Sequence, residues 1–204
     1  MKHFIILIAA LLISLPAWAE GETTDTTKTS AESTQSSTDI PTDITPELTK
    51  AYYDSCMGAR DQRMSRASQD FLCSCTAEKM METMSVEDIR SMGQENQEGR
   101  NMLNRVLLDV YAPCMSAPLA EMVSNECMLE GEMNAKGMHK IDLCHCIGEK
   151  TGAWFSGSGR DLMADVLKKN PNITDPVGPI MNSTQFKKES FANMQACLST
   201  RGKK

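Results

Sequence analysis

Residues 56–75 read CMGARDQRMSRASQDFLCSC, and residues 127–146 read CMLEGEMNAKGMHKIDLCHC. Both stretches are C-x16-C-x-C, and each is followed by one further cysteine, Cys114 after the first and Cys197 after the second. All eight cysteines of the 204-residue chain are thereby used. A shift of 71 positions aligns residues 52–92 with 123–163 without a gap. It matches the three cysteines of each motif together with Met57/Met128, Leu72/Leu143, Glu78/Glu149, Lys79/Lys150, Ser85/Ser156 and Met92/Met163. The fourth cysteines stand 83 positions apart, so the second copy holds about 12 more residues ahead of Cys197. Self-similarity at a fixed offset is the mark of a repeat. The expectation is a tandem duplication of a four-cysteine module, one copy over residues 46–117 and the other over 118–204.

The residues between the cysteines point to an all-α fold. Stretches that open on Ser or Thr and run on in Met and Leu dominate, and the β-branched alternation of a strand is nearly absent. Thr45 followed by Pro46 is an N-cap with a first-turn proline. Ser85-Val-Glu-Asp88 is a second N-cap, with acids set against the positive end of the helix dipole. Met102, Val106, Leu107 and Val110 form a stripe that ends at Pro113-Cys114. A second helix is expected to start near Ser68. In the second copy, helices are expected over 119–136, 140–154, 160–169 and 185–199, with the glycine-rich 156–159 segment as a break.

Helix geometry limits how the cysteines pair. Residues i and i+2 on a helix point about 200° apart. One cysteine of each C-x-C therefore faces back to the preceding helix and the other forward to Cys114 or Cys197. In a symmetric antiparallel hairpin, facing residues are equidistant from the turn. Cys127 with Cys146 centres on 136.5, beside Gly137, and Cys56 with Cys75 centres on 65.5, at Ser65-Arg66. That counting favours Cys56–Cys75 with Cys73–Cys114, and Cys127–Cys146 with Cys144–Cys197. Exchanging the two cysteines of each C-x-C satisfies the same geometry nearly as well. In either case every bridge is expected to stay within its own copy, because a module copied whole had already satisfied its own thiols.

The amino-terminal residues set the compartment. Met1-Lys2-His3 is a short positive start, residues 4–15 are almost uninterruptedly apolar, and Ala17-Trp18-Ala19 is the small-x-small pattern cut by signal peptidase. The apolar run is too short for the roughly 20 residues that cross a bilayer as a helix. Residues 1–19 read as a signal peptide, with the mature chain starting at Glu20 and holding no integral membrane segment. The location is periplasmic or secreted, where an even cysteine count is read first as a disulfide framework. Residues 20–45 hold six acids against Lys28 and almost no aliphatic side chain, the composition of a disordered acidic leader. The remaining 46–204 carry 21 acids and 19 bases. That near-balance argues against a nucleic-acid partner, which requires a clustered cationic surface.

Few residues suggest chemistry. Cys144-His145-Cys146, in a chain with 16 methionines, has the donor set of a soft-metal site such as one for Cu(I). The C-x-C motifs also admit thiol–disulfide exchange, although working oxidoreductases set a reactive cysteine in a βα fold. Neither C-x-x-C for zinc nor C-x-x-C-H for haem is present. Nor are the motifs of hydrolases or phosphate-binding loops found. No cofactor is expected. Trp154 and Phe155, beside glycines, read either as core or as an aromatic contact point, since Trp is enriched among interface anchors. The insertion 170–179 is rich in turn residues, and loops on rigid scaffolds carry binding function. Trp154, Phe155, Asn172 and Asp175 are therefore the expected contact residues. The function that fits is non-enzymatic: binding to, or assembly of, another envelope or secreted protein. Copper handling and thiol–disulfide exchange are the alternatives.

Overall fold

The computed structural model describes residues 43–130 and 139–199. The expected signal peptide, most of the acidic leader and the Gly137 turn lie outside the described residues. Within them the chain is all-helical, and the single extended pairing is an isolated bridge between Asp43 and Ser85. Helix α1 spans Pro46–Gly58 and α2 spans Arg66–Thr83. They are followed by α3 (Val86–Met92) and α4 (Gln97–Cys114). The second half holds α5 (Ser116–Leu129), α6 (Lys140–Lys169), α7 (Val177–Asn182) and α8 (Thr184–Ser199).

The helix starts follow local chemistry. Thr45 Oγ1 accepts from Leu48 N at 3.3 Å, and Pro46 occupies the first turn, where its missing N–H costs nothing. Ser85 and Asp88 close a reciprocal capping box, Asp88 N to Ser85 Oγ at 3.1 Å and Ser85 N to Asp88 Oδ2 at 2.8 Å. The cap of α2 is Ser65, which accepts from Ser68 N at 3.2 Å, so this helix begins three residues before the expected Ser68. Ile44 is buried with Met80, Ile89 and Val110, and Asp43 pairs with Ser85. The last residues of the expected leader therefore belong to the folded body. One apolar side chain was enough to order them.

In α4 the helix widens to a π turn over Leu107–Tyr111, where Ala112 N donates to Leu107 O. Pro113 explains the position. It has no N–H for the carbonyl of Asp109, four residues back, and its ring would clash with that carbonyl in a regular α turn. The chain then bends by 72° between α4 and α5.

The expected break at 156–159 does not occur, and α6 runs unbroken for 30 residues. Its buried glycines serve close packing. A Cβ on Gly148 would lie 2.4 Å from Ala120 O, and one on Gly152 would lie 2.6 Å from Ser116 O and 2.8 Å from Ala120 Cβ. Gly148 and Gly152 thus form a groove, one turn apart, for Ser116, Ala120 and Ser124 of α5. A Cβ on Gly159 would meet the Phe155 ring at 2.4 Å. The shortfall in helix propensity, about 1 kcal/mol per glycine, is offset by burial along this hairpin.

All eight cysteines are bridged: Cys56–Cys73, Cys75–Cys114, Cys127–Cys144 and Cys146–Cys197. Each C-x-C reaches in both directions, and no bridge joins 46–117 to 118–204, as expected. The preferred choice within each C-x-C is overturned, and the exchanged pairing is the one formed. The symmetric-hairpin count fails because α1 ends two residues after Cys56, whereas α2 carries Cys73 well beyond its first turn. The face of α2 turned to α1 is set by Gln69 and Cys73, one turn apart. Gln69 Nε2 donates to Cys56 O at 2.8 Å and to Ala59 O at 3.1 Å, closing the end of α1. Lys140, one turn before Cys144, likewise donates through Nζ to Glu130 O at the end of α5. These two pairs are related by the same 71-residue offset, although their donors differ in kind.

The halves share one core. The larger cluster joins Met64, Leu72, Leu107, Ala112 and Cys114 of the first half to Leu119, Leu143, Phe155, Met163 and Ile180 of the second. Helix α2 packs on α5, and α4 packs on both α5 and α6.

Candidate functional site

The expected contact residues do not form one surface. Phe155 is buried at 1% exposure, and a side chain so enclosed makes no contact with a partner. Trp154 is half-buried against the core, edge-on to Phe155 at 6.4 Å and to Phe186 at 6.1 Å between ring centroids. The alternative reading of these aromatics, as core, is the one realised. Asp175 is committed to the fold. Its Oδ1 accepts from Val177 N at 3.1 Å, and its Oδ2 pairs with Arg63 Nη1 at 3.0 Å. Arg63 in turn holds Asp61 through Nη2 at 2.7 Å. The 170–176 loop is thereby tied to the α1–α2 connection. Asn172 alone of the four stands at the surface without such a role in the fold.

The expected metal ligands are likewise dispersed. Cys144 is bridged to Cys127 and Cys146 to Cys197, while His145 is exposed between them on α6. Bridged sulfurs offer no thiolate to a soft ion. Among the described residues no group of three or more His, Cys, Asp or Glu side chains is placed to hold a metal ion.

Charged groups link helices both within and between the halves. Arg160 of α6 reaches Asp109 of α4 at 2.8 Å; Arg105 approaches Asp109 at 3.8 Å and Asp88 at 3.4 Å. Glu121 of α5 accepts from Ser65 N at 2.7 Å and Ser65 Oγ at 2.9 Å, and also from the Ser68 hydroxyl. Partial burial works to raise its pKa, but the hydroxyls of Ser68 and Ser65 and the Ser65 N–H outweigh this and hold it below the usual carboxylate value. The Asp88 carboxyl is also lowered, first by the Ser85 N–H. Burial pushes the Tyr111 and Tyr52 phenols up, Tyr111 strongly and with help from the nearby Asp175 charge. A depression of about 630 Å³ lies between the end of α6 and the start of α8, with Asp165, Lys169, Lys188 and Glu189 in its wall. Its charges balance.

What stands out is apolar. Leu129, at the end of α5, is 87% exposed and Ile141, at the start of α6, is 61% exposed, close in sequence to the Cys127–Cys144 staple. On α8, Phe191 (59%) and Leu198 (40%) lie two turns apart, and on α2 Phe71 (47%) and Met81 (45%) share one outer face. Sequence reading missed these six because all sit inside helical stretches, where an apolar residue is assigned to the core face by default. The signal that distinguishes Phe191 and Leu198 is their offset from the Phe186–Cys197 face, visible once the bridge fixes which side of α8 points inward. Among the described residues no single helix is long and apolar enough to cross a membrane. Four intramolecular disulfides suggest an oxidising, extracytoplasmic environment. No family model matches the chain, and neither a curated protein nor a solved structure is found to be similar to it.

Proposed function

We propose that this chain is an exported, non-enzymatic binding or assembly protein of the cell envelope, built as a tandem duplication of a four-cysteine helical module. Export rests on residues 1–19 as a signal peptide, cut before Glu20, and places the mature chain in the periplasm or outside the cell. The duplication is supported by the 71-residue register, the equal bridge separations of 17 residues and the parallel capping by Gln69 and Lys140. The partner is another envelope or secreted protein rather than a nucleic acid.

The observation that carries the binding reading is the exposure of Leu129 and Ile141 at the stapled end of α5–α6. Large apolar side chains held in water beside the Cys127–Cys144 staple cost solubility, and such patches mark interaction sites. The mature protein, immobilised with its bridges intact, is expected to retain an envelope protein in stoichiometric amount. The double variant Leu129→Asp, Ile141→Asp is expected to lose it, with no change in thermal stability. Equal retention by the variant removes this surface. Reproducible turnover of a substrate by the pure protein overturns the non-enzymatic reading.

A further inference from the structure

Helix α8 stands in the second half where α4 stands in the first, each delivering the fourth cysteine to its C-x-C. By position relative to Cys114 and Cys197, Ala112 of α4 and Met115 just beyond it correspond to Gln195 and Leu198 of α8, and Leu108, within the π turn, has the same offset from Cys114 as Phe191 has from Cys197. The α4 face is covered: Met115 and Ala112 are buried, and Leu108 packs on the same cluster, against the helices of the second half. Among the described residues the corresponding α8 face has no second helical hairpin over it, and Phe191, Gln195 and Leu198 are exposed.

A second exposed face lies at the opposite side of the sequence. On α2, Phe71, Ser74, Glu78 and Met81 recur at helical spacing and are all exposed. The surroundings of the two faces differ in sign. Exposed Lys187 and Lys188 precede Phe191 by one turn, whereas exposed Asp70, Glu78 and Glu82 border Phe71 and Met81, Glu82 being shared with Lys79 of its own helix at 2.6 Å. The two apolar pairs, seven residues apart on α8 and ten apart on α2, are rimmed one by cations and one by carboxylates, and so are complementary in both hydrophobicity and charge.

We propose that the mature chain self-associates head to tail, the Phe191/Leu198 face of α8 in one copy seating on the Phe71/Met81 face of α2 in the next. The contact is heterologous, so each end of an assembly keeps one unused face, and growth is open unless the rotation closes a ring. The placement of α8 on α4 rests on the duplication reading above. The contact itself does not involve Leu129 or Ile141, so loss of partner capture and loss of self-association are separable.

Heterologous contact makes a specific test possible. Sedimentation velocity of the mature, fully bridged chain, from low micromolar to several hundred micromolar, is expected to show mass rising with concentration and falling with added salt. Phe191→Asp removes the α8 face and Phe71→Lys removes the α2 face, and each variant alone is expected to stay monomeric. Mixed in equal amounts they are expected to form a dimer and stop there, since each supplies the face the other lacks. Both substitutions are at exposed positions, and unchanged melting temperatures with four intact bridges confirm folding. A wild-type chain that is monomeric at every concentration overturns the proposal. A mixture that remains monomeric, or a Phe71→Lys variant that still dimerises, also overturns it, the latter in favour of a two-fold contact between α8 faces.

Discussion

The Glu121 carboxylate, on α5 of the second half, caps the amino end of α2 in the first: it accepts from Ser65 N at 2.7 Å and from Ser65 Oγ at 2.9 Å. Ser65 Oγ meanwhile accepts from Ser68 N at 3.2 Å, so the local cap and the long-range cap meet on one hydroxyl. An anion at the positive end of a helix is favoured by the dipole, and here the carboxylate also satisfies the N–H of the N-cap residue and two serine hydroxyls. Removing it by Glu121→Ala should cost about 1 kcal/mol, the scale of a lost N-cap, and lower the melting temperature by a few degrees. An unchanged melting temperature would mean that water replaces the carboxylate without loss.

The same contact predicts acid sensitivity. Glu121 is held below its ordinary value because the serine donors outweigh partial burial, Asp61 because the Arg63 bonds outweigh burial, and Asp88 first by the Ser85 N–H. A carboxylate whose folded pKa is depressed contributes stability that is fully present above its unfolded pKa, about 4 for Asp and Glu. That stability is lost as pH falls through the lower folded value. Denaturant midpoints should therefore be flat from neutral pH to about pH 5 and fall below it. Glu121→Gln should show a shallower fall, and an identical slope would exclude Glu121 from the effect.

The bridge assignment is directly testable. Protein purified without reductant and then denatured should show no reactive thiol, since all eight sulfurs are bridged. Because one residue separates the cysteines of each C-x-C, partial reduction with stepwise alkylation is required to read the pairs. Cys56–Cys73 and Cys127–Cys144 should be found, with Cys75–Cys114 and Cys146–Cys197. Two free thiols at Cys144 and Cys146 would instead revive the soft-metal and thiol-exchange readings.

Glycines of α6 should separate into two kinds. Gly148→Ala places a methyl 2.4 Å from the Ala120 carbonyl and forces α5 and α6 apart, at about 1–3 kcal/mol as for other overpacked cores. At Gly157 an added Cβ meets nothing within 4 Å. Gly157→Ala should therefore stabilise the helix by about 0.5–1 kcal/mol. Thermal melts of the two variants moving in the same direction would contradict the close approach of α5 and α6.

The shared core has a consequence for cooperativity. Replacing Cys56 and Cys73 by serine removes one staple, worth about 2–4 kcal/mol, yet the chain should still unfold in one transition because Leu72 and Leu107 pack with the second half. Calorimetry resolving two transitions would show that the halves fold separately.

How much of this was legible beforehand depends on the range of the interactions. Thr45, Ser85 and the C-x16-C-x-C spacing act within a few turns, so the sequence by itself determined the all-helical class, the caps at Thr45 and Ser85 and the rule that each C-x-C reaches both backward and forward. Confinement of the bridges to each half followed from the duplicated pattern. The tertiary structure alone decided which cysteine of each pair turns inward, because that choice depends on the rotation of α2 and α6 about their axes, set by Gln69 and Lys140 capping the preceding helices. It alone decided that Phe155 is core, with Trp154 half-buried against it, and that the 156–159 glycines stay helical. A glycine reads locally as a break, yet Gly159 leaves room for the Phe155 ring of its own helix, and at Gly148 and Gly152 the arrival of Ser116 and Ala120 turns the missing Cβ into a packing surface.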